Sequence, residues 1–178
     1  MLNIRNKLIV VLALIVLAGS VVASAASPRP QGTMNKVRKE LVTLPYYDVF
    51  DNLEYKVEGD TVVLYGQVRK PTTKHDAERR VARIEGVDRV VNKIEVLPLS
   101  RFDDSIRART YRAVFRSGGL YRYAMGANPS VHIIVKNGRV TLEGVVSNRM
   151  DSQLAYMAAR GVPGVFEVTN NLRVAGRS

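Results

Sequence analysis

The chain has 178 residues, of which 46% are hydrophobic and 24% are charged, which is typical of a globular protein rather than a disordered one. It contains no cysteine, which excludes disulfides, thiolate metal sites, cysteine nucleophiles and lipid attachment through cysteine. The formal net charge of +11 indicates an anionic partner such as nucleic acid or a membrane surface.

The first 25 residues have the pattern of a secretory signal peptide. Arg5 and Lys7 precede an apolar run at 8–18, and the small residues of a cleavage site follow at 23–25. The run is shorter than the roughly 20 residues that a spanning helix needs, although an uncleaved N-terminal anchor is the alternative. We therefore expect an exported protein of the periplasm or of a membrane in the cell envelope, which disfavours nucleic acid as a partner.

Beyond this segment the chain repeats itself. A shift of 78 residues aligns 62–96 with 140–174 without a gap, and ten of the 35 positions are identical, where chance gives roughly two or three. The repeat predicts two small domains. The predicted division is a flexible leader at 26–33, domain 1 at 34–98, a linker at 99–102 and domain 2 at 103–176.

Each copy contains the same predicted elements. Apolar residues at helical spacing open the copies, beginning at Val37 and Ile106. Two alternating segments follow, joined in the second copy by Asn137-Gly138, a strong hairpin signal. A second helix and a last alternating segment complete the copy. This order predicts an α+β fold of two tandem αββαβ domains, each a three-stranded mixed sheet covered by two helices.

Asparagine and glycine each occur in the predicted strands at positions where the alternation predicts a buried residue. We expect Asn92 and Asn170 to satisfy backbone groups at a strand end or turn, because a buried amide needs partners. Gly66 and Gly144 are expected to permit close approach of a helix or to bend the strand, rather than to bind a ligand.

The strand and turn motifs resemble those of a known family. The first copy reads EGDTVVLYGQV from Glu58 and GVDRVVNKIEV from Gly86, and the second reads NGRVTLEGVV from Asn137 and GVFEVTNNLRV from Gly164. These motifs resemble the BON domain, named for bacterial osmotically inducible and nodulation proteins, over nearly all of residues 34–176. The resemblance implies a dual-domain, non-enzymatic periplasmic or outer-membrane protein, implicated in phospholipid binding and in envelope integrity or stress tolerance.

Two other classes of function stay open. A periplasmic chaperone-like or adaptor module that binds proteins would use the same exposed surfaces. A KH-like RNA-binding protein is a third interpretation, because residues 161–164 have the GXXG spacing of a KH loop, but it requires the signal peptide interpretation to be wrong.

Catalytic or metal-binding arrangements find little support in the sequence. His75 and His132 have no second histidine or carboxylate at ligand spacing, so we interpret both as surface or packing residues. Asp103 and Asp104 are adjacent and are better suited to capping the following helix. We therefore expect no enzymatic activity, no metal and no cofactor.

The basic character belongs to domain 2. Residues 34–98 carry a net charge of +1, whereas residues 99–178 carry +7. Helical geometry places Arg109, Arg112 and Arg116 on one face, and Tyr111 and Phe115 on another, roughly opposite the core. Arginines beside aromatic residues suit phosphates and a membrane interface. The predicted lipid- or anion-binding residues, including some in a loop nine residues longer than its counterpart, are Arg107, Arg109, Tyr111, Arg112, Phe115, Arg116, Tyr121, Arg122 and Tyr123.

Packing between the domains explains the same pattern equally well. In this interpretation Tyr111 and Phe115 are buried against domain 1, and Tyr121 and Tyr123 cover the core of their own domain. The arginines would then pair with carboxylates of domain 1, namely Asp48, Asp51, Glu54 or Glu58.

Overall fold

The computed structural model describes residues 30–126 and 128–176, which form two domains of the same α+β fold, as expected. The predicted signal peptide and residues 26–29 of the leader lie outside the described residues. Domain 1 consists of α1 Pro30–Val42, β1 Asn52–Glu58, β2 Thr61–Val68, α2 Pro71–Val81, β3 Arg89–Asn92 and β4 Glu95–Val96. Domain 2 consists of α3 Arg101–Phe115, a 3-10 turn at Leu120–Tyr123, β5 Val131–Lys136, β6 Arg139–Val146, α4 Arg149–Arg160, β7 Glu167–Asn170 and β8 Arg173–Val174.

The second strand of each domain is the centre of its mixed sheet. β2 pairs antiparallel with β1 and parallel with β3 and β4, and β6 repeats this arrangement with β5, β7 and β8. The last predicted strand of each domain is therefore divided in two. Asn92 stands at the division: its Nδ2 donates to Lys74 O at 3.0 Å and its Oδ1 accepts from Ile94 N at 3.1 Å. Asn170 makes the corresponding bonds in domain 2, so the expectation for both asparagines is confirmed.

The two helices of each domain pack on one face of its sheet. In domain 2, Ile106 of α3 and Ala159 of α4 are fully buried against Leu142 of the central strand. In domain 1, Val37 of α1 and Val62 of β2 occupy the same layers. Each helix buries an apolar stripe and each sheet one apolar face, which is why periodicity alone predicts this architecture.

The segment of domain 1 between α1 and β1 packs against domain 2. Val49 is 7% exposed and belongs to the hydrophobic core of domain 2, and its carbonyl oxygen accepts from Ile133 N at 2.7 Å. The ring of Tyr47 lies 5.4 Å from that of His132. The first five residues of β5 are all buried, including those that point away from the core of domain 2. Domain 1 therefore covers β5, an edge strand that would otherwise present unpaired backbone groups.

A helix begins within each of the two predicted connecting segments. Residues 30–33 of the predicted leader form the first turn of α1, and Thr33 is buried. The burial of Thr33 could not be predicted from the sequence, because a polar residue outside an apolar pattern gives no sign of it. The predicted linker is reduced because α3 begins at Arg101. No helix in the described part of the chain is long and apolar enough to span a membrane.

Candidate functional site: the exposed face of α3

The predicted binding surface centres on α3, whose first turn is fastened to a hairpin. The Ser100 side chain accepts from Asp103 N at 3.1 Å and is the N-cap. The buried carboxylate of Asp103 accepts from Asn137 N at 2.9 Å and Gly138 N at 2.8 Å. The prediction that Asp103 and Asp104 cap the helix is therefore wrong, because Ser100 caps it and Asp103 caps the turn between β5 and β6.

Arg107 does not belong to the exposed surface. It is 4% exposed, and its Nη2 donates to Val135 O at 2.6 Å. Its Nη1 donates to Asp104 Oδ1 at 2.6 Å. Arg107 follows Ile106 on the core side of α3, so its long side chain runs beneath the helix to β5. Its inclusion among the lipid-binding residues is wrong, since this guanidinium cannot reach a ligand without leaving its buried acceptor.

Arg109, Arg112 and Arg116 do lie along the outer side of α3, and we call them the arginine row. Arg109 is half-buried and bonds within the helix, from Nε to Ser105 O at 3.2 Å and from Nη2 to Ser105 Oγ at 2.9 Å. Arg112 and Arg116 are exposed. Among the described residues none of the three forms an ion pair. The row therefore keeps its positive charge uncompensated at the surface.

Two predicted aromatic contacts are buried instead. Phe115 is 6% exposed within the core of domain 2. Tyr123 is 7% exposed; its hydroxyl donates to Asp151 Oδ2 at 2.5 Å and accepts from Ser147 N at 2.8 Å. The 3-10 turn at Leu120–Tyr123 folds the long loop back onto the core, which helical periodicity cannot reveal. The prediction that Phe115 and Tyr123 contact a lipid is therefore wrong.

The contacts of Arg122 are with residues of its own domain. Its Nη2 lies 2.5 Å from Asp151 Oδ2, and its Nη1 donates to Gly119 O at 2.8 Å. The guanidinium also stacks 4.6 Å from the ring centre of Tyr123. Because Asp151 neutralises this cation, Arg122 fastens the long loop to α4 and adds no free charge to the surface.

The remaining predicted residues, Tyr111 and Tyr121, line a shallow groove between α3 and the long loop together with Met125, which was not among them. Tyr121 and Met125 are 61% and 64% exposed. Tyr111 is 37% exposed, with its ring 6.0 Å from Phe50 of domain 1 and 4.9 Å from Phe115. We call Tyr111, Tyr121 and Met125 the loop groove. Interdomain packing thus accounts for one side of Tyr111, while Tyr121 and Met125 stay open to solvent.

The arginines of α3 do not pair with domain 1. Asp48, one of the carboxylates considered for this role, pairs with Arg69 of its own domain. Arg107 pairs with Asp104 of α3 itself. The alternative in which carboxylates of domain 1 neutralise α3 is therefore wrong for the described residues.

A second exposed aromatic cluster was not predicted. Phe102 and Phe166 are 47% and 75% exposed, with ring centres 6.0 Å apart. Phe166 lies over Gly138, where a Cβ would come within 2.4 Å of its ring, and Phe102 lies beside Gly164. We call the two phenylalanines the hairpin pad. The sequence feature that could have revealed it is the 78-residue repeat, because it aligns Phe166 with a charged residue, Asp88, and so marks the phenylalanine as particular to domain 2.

The two histidines have the structural roles expected of them. His75 is exposed, whereas His132 is buried between the domains, with Nδ1 3.3 Å from Asp48 O and Nε2 3.4 Å from the Tyr47 hydroxyl. Burial lowers the pKa of His132, so its ring is held neutral at pH 7. No group of histidine and carboxylate side chains suited to a metal ion occurs in the described ranges.

Comparison with known proteins identifies the domain type. The family model of the BON domain matches the chain twice, at residues 35–98 and 103–176. No curated protein matches the chain significantly in sequence. Two solved structures are similar to this chain, each with 11% sequence identity. Both are of CdsD, described as a structural protein of the type III secretion system of Chlamydia trachomatis. One covers 79% of this chain and 96% of its own with a TM-score of 0.34, and the other covers 82% and 94% with a TM-score of 0.32.

Proposed function

The chain belongs to the BON domain family, and on that premise we propose that it binds the surface of an anionic phospholipid membrane through domain 2. In this proposal the protein is exported, acts in the cell envelope without enzymatic activity, and contributes to envelope integrity or stress tolerance. The observation that carries the proposal is the arginine row of α3, in which Arg112 and Arg116 are exposed and none of the three arginines has a carboxylate partner among the described residues.

Arginine is the residue type best suited to this contact. Its planar fork binds two phosphate oxygens at once, and it is more weakly hydrated than lysine. Each basic residue near an anionic leaflet contributes about 1 kcal/mol, so the three arginines together supply about 3 kcal/mol. This is less than the roughly 4 kcal/mol of a millimolar Kd, so the row needs an apolar contact beside it. The loop groove supplies exposed Tyr121 and Met125 next to Arg112 and Arg116.

Co-sedimentation with vesicles of phosphatidylglycerol or of neutral phosphatidylcholine tests this proposal. We expect the chain to sediment with the anionic vesicles, and Arg112→Glu with Arg116→Glu to weaken binding by about 30-fold or more, since two charges of about 1 kcal/mol each are lost and reversed. The matched control is Arg83→Glu with Arg89→Glu, because both residues are exposed in domain 1 and the net charge changes equally.

Two results would contradict the proposal. One is equal binding of the chain to anionic and neutral vesicles, and the other is equal loss of binding in the domain 1 and domain 2 variants. Binding to unfolded or partner proteins without any affinity for vesicles would favour the chaperone-like or adaptor alternative instead.

A further inference from the structure

The hairpin pad and the arginine row lie along one side of α3. Phe102, Arg109 and Arg116 are spaced by seven residues, so at about 100° per residue they fall within about 40° of one another around the helix. The helix of 15 residues is about 22 Å long. The pad lies at the first turn of this helix, so exposed rings border the row at its N-terminal end.

The pad is a built feature of the fold rather than a pair of loose side chains. Both rings pack against glycines, and a side chain at Gly138 would prevent this packing. A Cβ there would lie 2.6 Å from the Cε2 of Phe166 and 3.3 Å from the Cε1 of Phe102. Phe166 N also donates to Gly138 O at 2.9 Å, which holds the phenylalanine against the hairpin. The rings are thus positioned by backbone contacts while most of Phe166 remains exposed.

The border of the pad is cationic. A Cβ at Gly164 would lie 3.5 Å from the ring of Phe102 and 3.7 Å from Nη2 of Arg109, so both side chains reach the same glycine. Arg101, next to Phe102, is exposed. The carboxylates adjacent to the two rings are engaged elsewhere: Asp103 is buried and accepts from the Asn137 and Gly138 N–H groups, and Glu167 pairs with Arg139 at 3.0 Å. An apolar pad with arginines beside it is complementary to acyl chains beneath a layer of phosphates.

Domain 1 has no such pad at the same place in its fold. Asp88 occupies the position of Phe166, and its N–H donates to Asp60 O at 2.9 Å as that of Phe166 donates to Gly138 O. The aromatic residue is therefore not required for this turn to form. Its presence in domain 2 alone adds apolar exposure to the same domain that carries the excess positive charge.

We propose that Phe102 and Phe166 insert into the boundary between headgroups and acyl chains of an anionic bilayer, so that α3 lies in the plane of the membrane. The pad then enters the boundary while the arginine row, on the same side of the helix, contacts the phosphates. This inference rests on the proposed membrane-binding function and adds the second anchor and the orientation of domain 2.

A single tryptophan tests the insertion directly, because the chain contains none. Phe166→Trp on phosphatidylglycerol vesicles gives a blue-shifted emission that brominated acyl chains quench. Asp88→Trp, the matched position of domain 1, gives no shift on the same vesicles. Unchanged tryptophan emission from the Phe166→Trp variant, on vesicles that carry the protein, overturns the inference while leaving the proposed function intact.

A deletion of the pad tests its contribution to affinity. Phe102→Ser with Phe166→Ser weakens vesicle binding by about tenfold or more, with an unfolding temperature close to that of the parent chain. Unchanged binding overturns the inference, and absence of vesicle binding in the parent chain overturns it together with the proposed function. The Phe166→Trp variant could instead form a concentration-dependent dimer with blue-shifted emission in the absence of vesicles. That result would assign the pad to a second copy of the chain and would also overturn the inference.

Discussion

Asp51 is a carboxyl group buried at the start of β1, with only 1% of its surface exposed. Its Oδ1 accepts from Arg69 N at 2.7 Å, while its Oδ2 has no partner among the described residues. Burial raises its pKa from 3.8 to about 6. Because the folded state favours the protonated form, the stabilisation from this group is complete below pH 3.8 and is lost as the pH rises through 6.

We expect Asp51→Asn to remove this dependence on pH. A shift of about two pKa units corresponds to about 3 kcal/mol, so the unfolding free energy of the parent chain should fall by up to that amount relative to the variant between about pH 4 and about pH 7. Urea unfolding at several pH values measures it, with exposed Asp88→Asn as the control. Parallel stability curves for the parent chain and Asp51→Asn would contradict this assignment.

Gly144 shows why glycine recurs in the central strands. It has φ +117°, and a Cβ would lie 2.1 Å from Ser130 O of the neighbouring chain segment. Of the two expected reasons, close approach of a helix or a bend in the strand, the first is wrong, because the close approach is of backbone beside β5. We expect Gly144→Ala to cost about 3 kcal/mol or more of unfolding free energy, from strain at positive φ and backbone overlap. Gly59→Ala, with φ +64° and open space around it, should cost only about 1 kcal/mol. Equal losses in thermal unfolding would contradict this account.

At the scale of elements, periodicity identifies the core side of α3 but not which polar or aromatic residues are covered from elsewhere. Ile106 and Val114 are fully buried as predicted. Phe115 is on the opposite side, yet it is buried in the same hydrophobic cluster as Leu120 of the long loop and Val49 of domain 1. Asn92 in the last strand of domain 1 was assigned its role correctly, but the division of that strand depends on side-chain bonds that alternation does not encode.

Arg107 and Arg112 provide a test of this distinction within one helix. Arg107→Met should lower the unfolding free energy by about 1–3 kcal/mol, because the buried carbonyl of Val135 loses its donor. Arg112→Met should change it by no more than about 0.5 kcal/mol, because Arg112 is exposed. Chemical denaturation of both variants measures the difference. A larger loss for Arg112→Met would contradict the placement of these side chains.

At the scale of the whole molecule, the repeat predicts two copies of one fold but not how they meet. The contact depends on Val49 and on His132, whose counterpart in domain 1 at the same offset of 78 residues is Glu54. The tyrosine and backbone carbonyl that surround His132 come from domain 1. Such contacts between distant segments have no periodic signal, which is why sequence reasoning left membrane contact and interdomain packing open for the same helix.

Val49 should therefore stabilise a domain to which it does not belong in sequence. We expect Val49→Ala to cost about 2 kcal/mol and to speed amide hydrogen exchange in β5, including the N–H of Ile133 that bonds to Val49 O. Val57→Ala, which packs against the core of domain 1, should speed exchange in β1 and β2 instead. Faster exchange in domain 1 alone for Val49→Ala would contradict the described contact.

The central claim is that the unpaired arginines of domain 2 hold the protein on an anionic surface. Its most direct test is the binding of the unmodified chain to vesicles as phosphatidylglycerol replaces phosphatidylcholine, repeated at rising salt. We expect binding that grows with the anionic fraction and weakens steeply as salt shortens the Debye length from about 10 Å at 0.1 M to about 3 Å at 1 M. Binding that is independent of both the anionic fraction and the salt concentration would contradict it.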